Sequence, residues 1–319
     1  MTKPRPCGCK GCRTCLVCET QYGANYKTLQ SLDHDKSYVY CPFCNKAWKG
    51  WNMDLYKEHP NHTGEYIDYS GVSIVLDFIS PKEEDLLIKN IDQVPWDISQ
   101  SGRRKQNYGP KTNFKKRKIA LGNFSGFPLF SKYLQDRFLG IDLLKGYETI
   151  EQCSLEYDPS KGASIDPHID DCWVWGERIV TVNCLSDSVL TMTPYLGDYN
   201  KYNLKDAETY SSVVNADGSV KINVNEGEGN VLEECRPQVM EDIVIRIPMP
   251  RRSLLIIYGE PRYHWEHAVL REDITERRVC IAYREFTPPY LQGGQYQDIG
   301  QTIRDKGKLF WDHTLKYQL

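Results

Sequence analysis

Nowhere in the chain do about 18 apolar residues run together, so no segment is suited to cross a bilayer as a helix. The N-terminus, MTKPRPCGCK, also lacks the apolar core of a secretory leader. These absences lead us to expect a protein inside the cell. Extremes of composition are missing too. With 40% apolar and 26% charged residues over 319 positions, neither a disordered nor a fibrous chain fits, and one sizeable core does. A further absence is local: Ser99 to Lys118 holds eight Lys or Arg and no Asp or Glu. Since the net charge is −3, about −11 falls on the rest, so one patch is basic and the body acidic.

Sulfur, by contrast, is plentiful. Twelve Cys are present, and five of them, Cys7, Cys9, Cys12, Cys15 and Cys18, crowd the N-terminus at spacings that suit metal thiolates better than disulfides. The knuckles Cys15-x-x-Cys18 and Cys41-x-x-Cys44, separated by 22 residues, predict a structural four-thiolate zinc site. Cys7 and Cys9 with Cys15 and Cys18 form a rival set, and His34, His59 and His62 lie nearby. Residues 1–63 therefore read as a Cys-rich zinc-binding annex, too short for a core of its own and folded by its metal.

The remainder is organised as α+β, mainly β. Ser70 to Ser80 reads as a first strand. Ser80 and Pro81 then open a helix that places Leu86, Leu87 and Ile91 on one face, with Trp96 closing the element. The basic stretch, SQSGRRKQNYGPKTNFKKRK, is broken by Gly102, Gly109 and Pro110 into a loop or short hairpin. Its Tyr108 and Phe114 among cations suit phosphate contacts with base stacking, or else an acidic protein partner. Ser131 to Leu139 has helical periodicity, extended by Leu143 and Leu144. Short strands follow at Glu151–Tyr157, Arg178–Leu185, Val189–Thr193, Ile243–Ile247, Ser253–Tyr258 and Arg278–Phe286, the pattern of a sandwich or barrel. Gly197 to Val239 is polar and reads as a surface insertion. Ile299 to Leu319 reads as a helix docked through Leu309, Phe310 and Trp311.

Chemistry concentrates in two places. His168 and Asp170, two residues apart on an extended segment, point to one face and can share a metal ion. Two His and one carboxylate with open positions opposite suit non-haem Fe(II). In GEPRYHWEHAVLRED the second His is His264 or His267. Tyr263, Trp265 and His267 share one face of a strand there, which favours His267. Downstream, Arg278 and Arg284 are six apart on one strand and so share a face. Two inward guanidinium groups need anions, and a dicarboxylate co-substrate would supply them.

The order Tyr157, His168-x-Asp170, His267, Arg278-x5-Arg284 resembles the AlkB-type Fe(II)/2-oxoglutarate dioxygenases. CGCKGCRTCLVCE, SQSGRRKQNYGPKTNF, IDPHIDDCWVWGERIV and RRVCIAYREF resemble most closely the fourth AlkB homologue of animals. The resemblance implies a double-stranded β-helix, or jelly roll, over residues 64–290, with an insertion at 194–239 and a C-terminal helical extension at 291–319. It implies iron held by His168, Asp170 and His267. Arg278 would take the distal carboxylate of 2-oxoglutarate, Tyr157 would hydrogen-bond to the co-substrate, and Arg284 would support Asp170 or the proximal carboxylate. Residues 99–118 correspond to the family's substrate lid, with Arg103, Arg104, Lys105 and Tyr108 as its contacts. Leu155 and Cys280 stand where many relatives carry Asn, which removes polar contacts near a nucleobase pocket.

The activity so implied is O2-dependent oxidation of an N-methyl group, with succinate, CO2 and formaldehyde as products. The substrate expected first is methylated lysine on a protein such as actin. N6-methyladenine in DNA is the second expectation, and a zinc-stabilised adaptor without catalysis the third. Asp171 falls on the opposite face from Asp170 and reads as a supporting residue. Trp173, Trp175 and Trp265 would seal the site.

Overall fold

A computed structural model describes residues 5–10, 13–24, 32–215, 217–221, 229–236 and 242–312. Cys12 and the last seven residues of the expected C-terminal helix lie outside the described residues, as do parts of the insertion.

The first two strands come from the segment read as an annex, β1 (Ser37–Cys41) and β2 (Lys46–Lys49), and β3 (Tyr66–Asp68) lies just past it. They are followed by β4 (Val72–Val75) and β5 (Arg104–Tyr108). Eight more strands complete the frame: β6 (Glu151–Tyr157), β7 (Ile165–His168), β8 (Ile179–Cys184), β9 (Ser188–Pro194), β10 (Val244–Met249), β11 (Leu254–Ile257), β12 (Trp265–Val269) and β13 (Arg278–Arg284). Two seven-stranded sheets result. One runs β7-β12-β9-β10-β1-β2-β3; the other runs β4-β11-β8-β13-β6-β5 and ends on the short strand Asp97–Ile98. From β6 to β13, successive strands and strand pairs alternate between the two sheets, which bears out a mainly β, α+β fold.

Alternation within the strands explains the layers. On β13, Cys280 joins the core between the sheets, with Tyr157, Ile179, Leu190, Met192, Ile257 and Trp265. Its neighbours Val279, Ile281 and Tyr283 face outward, against two helices, α2 (Pro81–Gln93) and α3 (Lys132–Phe138). These are numbered after α1 (Leu16–Tyr22). Because both faces are covered, the strand is apolar on both sides, and only Arg278 and Arg284 break the run. The α2 start carries a reciprocal cap between Ser80 and Glu83. Leu86 does not share the buried face. It is 61% exposed, and Ile88 packs beside Leu87 and Ile91 in its place.

Other expectations change. The 1–63 boundary falls within a sheet, because β1 pairs in parallel with β10 and β2 and β3 continue outward from it. Ser70 to Ser80 yields only the four residues of β4, paired with β11. Of the loop or short hairpin expected for the basic stretch, the hairpin is present, Lys111–Asn113 against Lys118–Ala120, and β5 before it is hydrogen-bonded to β6. Tyr108 packs 5.8 Å from Trp311. The insertion is not merely a surface feature, since Leu204, Ala207, Tyr210, Val231 and Leu232 pack on Ile169, Cys172, Tyr195 and Tyr263. At the C-terminus, α4 (Gln297–Gly307) ends before Phe310–Trp311, which pairs as a strand with Phe127–Pro128, and Leu309 is exposed.

Glu177 ties the insertion to the core. Only 2% exposed, it accepts hydrogen bonds from the backbone N–H of Val213 and of Gly259, the latter at 3.2 Å. Burial pushes its carboxyl up to about 7 in spite of those donors. The folded state then holds a proton that the unfolded chain releases near pH 4.5, so this contribution is present below that pH and fades as pH rises through about 7. We expect the stability of the chain relative to Glu177→Gln to fall by roughly 3 kcal/mol between pH 4.5 and 8, measured by urea unfolding. A difference that stays flat across that range would contradict this.

Candidate active site

The centre lies between the sheets where β7 meets β12. His168 ends β7 and stands directly opposite His267 on β12, so antiparallel pairing alone brings the two imidazoles together, with ring centroids 4.2 Å apart and planes tilted by 48°. Asp170 follows two residues later, with Oδ1 3.9 Å from His168 Nε2. One ligand atom from each of the three lies within 4.8 Å of the others. His168 Nδ1 is 2.9 Å from the Asp166 carbonyl, which can only accept; Nδ1 therefore carries the proton and Nε2 is left with a free lone pair. Burial lowers both histidines, and the neighbouring His168 helps push His267 down to about 3, so both rings are neutral and able to ligate at physiological pH.

The carboxylate is fixed from behind. Burial alone would raise the Asp170 carboxyl, but Arg284, aided by His267 and His168, holds it well below the usual carboxylate range. Arg284 grips both of its oxygens, Nε at 3.0 Å and Nη2 at 3.1 Å, and its Nη1 donates to Glu151 at 2.7 Å. The strand register makes this possible by placing Glu151 opposite Arg284. Arg262 was not singled out from sequence. Fully buried, it donates to the carbonyls of Asp170 (2.9 Å), Gly176 (3.0 Å) and Trp175 (2.8 Å), which locks the turn that carries the ligand carboxylate. It occupies a short helical turn, Gly259–Tyr263, so Tyr263 is not on the strand with His267; only Trp265 shares that face. His264 caps the turn and bonds through Nε2 to the Leu232 carbonyl, away from the centre. Asp171 accepts from Asn203 of the insertion.

Arg278 sits deeper, 1% exposed, across the register from Tyr157, with its guanidinium 4.8 Å from that ring. Its Nε donates to Asn183 Oδ1 at 2.7 Å, while Asn183 donates in turn to the carbonyls of Ser186 and Met249. Arg278 Nη1 has no partner among the described residues. A buried cation with an unsatisfied N–H and no carboxylate beside it is costly alone and suited to an incoming carboxylate. The cavity that connects it to the three ligands is lined by Tyr157, Leu155, Cys280, Met249, Ile257 and Val269, among others. This is a fit to 2-oxoglutarate drawn from the protein's own groups. Sequence gave no sign of Asn183 or Glu151, whose roles depend on cross-strand neighbours.

The lid residues divide. Arg104 is held on the outer face by Glu156 (Nη2 to Oε1, 2.7 Å) and by Trp96, so it does not reach the cavity. Lys105 stands opposite Leu155 and shares its face, and Arg103 lies 5.8 Å from the Tyr157 ring. At the hairpin, exposed Phe114 approaches Trp175 at 6.4 Å, and Trp175 lies 5.6 Å from Arg284, so the hairpin borders the centre.

The thiols also divide. The structure does not bring Cys15 and Cys18 to Cys41 and Cys44; it gathers Cys7, Cys9, Cys15 and Cys18 into one group, and Cys41 and Cys44 join His59 and His62 in another. In the first group Cys7 Sγ is 3.2 Å from Cys18 Sγ, and the Ser101 N–H donates to Cys9 Sγ at 3.2 Å, which anchors the start of the lid.

A facial two-His, one-carboxylate centre beside a buried carboxylate anchor defines the class of non-haem iron oxygenases that use a 2-oxo acid. The mouse protein named alpha-ketoglutarate-dependent dioxygenase alkB homolog 4 is 36% identical over 297 residues, 93% of this chain and 92% of that one. Its human counterpart of the same name is 36% identical over 299 residues, 94% and 92% of the two chains. A Caenorhabditis elegans protein named DNA N6-methyl adenine demethylase is 30% identical over 321 residues, covering 95% and 94%. No protein-family model matches. The chain belongs to the AlkB-type alpha-ketoglutarate (2-oxoglutarate)-dependent dioxygenases.

Proposed function

We propose that the chain oxidatively demethylates an N-methyl group, with methylated lysine on an acidic protein such as actin as the preferred substrate. The observation that carries this choice is the wall beside the metal ligands. Leu155 and Cys280 are direct cross-strand partners that line the cavity, so the inner surface is apolar where a base edge would need hydrogen-bonding groups. Bound iron would supply activation of O2 by the electrons of the 2-oxo acid. The protein's part is to orient and exclude. His168, Asp170 and His267 hold the metal, and Arg284 keeps Asp170 ionised and fixed. Arg278, steadied by Asn183, receives the distal carboxylate, with Tyr157 beside it. The apolar wall keeps water from the methyl group. Lys111, Lys115, Lys116 and Lys118 are exposed on the hairpin without an ion-pair partner among the described residues, which suits an acidic surface.

The second reading, N6-methyladenine in DNA, is favoured by the name of the nematode relative and by the same cations, which would meet phosphates equally well. A non-catalytic adaptor has no use for an unsatisfied buried guanidinium. In the same proposal, structural zinc held by Cys7, Cys9, Cys15 and Cys18 orders the lid through Ser101, and the protein works in the cytoplasm and nucleus. The test is mass spectrometry of methyl-lysine peptides and N6-methyladenine oligonucleotides after incubation with Fe(II), 2-oxoglutarate and ascorbate. The peptide is expected to exchange CH3 for H with release of formaldehyde; loss from the oligonucleotide alone would replace the first reading by the second.

A further inference from the structure

We propose that Cys41, Cys44, His59 and His62 form a separate Cys2His2 zinc site that fastens the β1–β3 extension of the sheet. Cys41 ends β1, and Cys44 lies in the turn to β2, where Asn45 adopts φ 57° and brings the second sulfur back beside the first. The chain returns after the 3-10 segment Met53–Glu58 with His59 and His62. One ligand atom from each of the four lies within 4.8 Å of the others. A tetrahedral zinc ion with its usual bond lengths needs donors about 3.3–3.8 Å apart, so the approach required is small.

Three independent observations point to a ligand there. Both ring nitrogens of His62 are buried and have no hydrogen-bond partner among the described residues, which is unfavourable unless one of them binds something. Its ring is also held, stacked on Trp48 at 4.6 Å, just as His59 is stacked on Phe43 at 5.2 Å. The sulfurs receive N–H donors: the backbone amides of Phe43 and Cys44 aim at Cys41, and Trp48 Nε1 lies 3.5 Å from Cys44 Sγ. Such donors serve a metal-bound thiolate far better than a neutral thiol, a poor acceptor. Two sulfurs and two imidazoles with no open position make a closed structural zinc site. Zinc would tie the segment after β2 to the end of β1, the strand that pairs with β10. The inference stands apart from the substrate reading and from the thiol group at Cys7–Cys18.

The test uses the full chain expressed with zinc in the medium and loaded with Fe(II) without oxygen, so that His168, Asp170 and His267 are filled. Zinc content and zinc-edge X-ray absorption are then measured. If both thiol-bearing sites hold zinc, about two ions per chain with an average of about three sulfurs and one imidazole nitrogen each are expected. If only this site does, the expectation is about one ion with two of each. A shell of four sulfurs without histidine, or no zinc, overturns the proposal. His62→Asn is expected to lose one zinc, whereas His62→Cys keeps it and raises the sulfur share. Should the Asn variant fail to fold, the native spectrum and the His62→Cys spectrum decide.

Discussion

Asp170→Asn is expected to abolish succinate formation from 2-oxoglutarate while leaving the fold in place. The amide oxygen still accepts from Arg284, and Glu151 still balances the guanidinium charge. The anionic metal ligand, however, is gone. Disturbing a group that merely supports a metal ligand costs about 10- to 100-fold, so loss of the ligand itself should exceed about 100-fold. Iron retained per chain should fall in parallel. Asp170→Ala should be equally inactive and less stable by about 2 kcal/mol in urea, because Arg284, buried, loses two of its three acceptor contacts. Succinate production within tenfold of the parent in either variant would show that the centre is not built on this carboxylate.

For Arg278→Met the expected loss falls on co-substrate binding: the KM for 2-oxoglutarate rises by about 100- to 1000-fold, with little effect on stability. A buried charge-assisted pair with a carboxylate contributes about 3–4 kcal/mol to binding, which sets that factor. Folding has little to lose, because the guanidinium carries an unpartnered Nη1 in the core; removing it offsets the loss of the bond to Asn183. Saturating 2-oxoglutarate should raise the Tm of the parent and not of the variant. An unchanged KM would move the carboxylate anchor elsewhere. Arg284 offers no substitute, since Asp170 and Glu151 already occupy it.

Legibility followed range along the chain. His168 and Asp170 could be paired from sequence because two residues on an extended segment share a face, and the structure has them side by side. Arg278 and Arg284 follow the same rule, although their partners do not. Glu151 and Asn183 are 133 and 95 residues away in sequence, and only the pairing of β6 and β8 with β13 brings them in. Arg262, which nothing in the sequence singled out, is a clamp on the turn behind Asp170. Its guanidinium finds backbone carbonyls rather than carboxylates, and these leave no trace in sequence. Likewise Arg104 belongs by composition to a basic patch, yet Glu156 on the adjacent strand holds it on the outer face.

The clustered thiols show the limit most plainly. Spacing offered two sets, the joined CxxC pairs and Cys7, Cys9, Cys15 and Cys18; the fold gathers the latter and keeps Cys41 and Cys44 in a separate group. The first pair is completed by thiols a few residues upstream, and the second by histidines across a short segment. By itself, the sequence determined which residue types could bind metal and carboxylate, which of them share a strand face, and to which family the pattern is similar. The tertiary structure decided which groups meet. Local periodicity fixes the direction of a side chain, but its partner is chosen by strand register and by the burial of charge, which depend on residues far away in the chain.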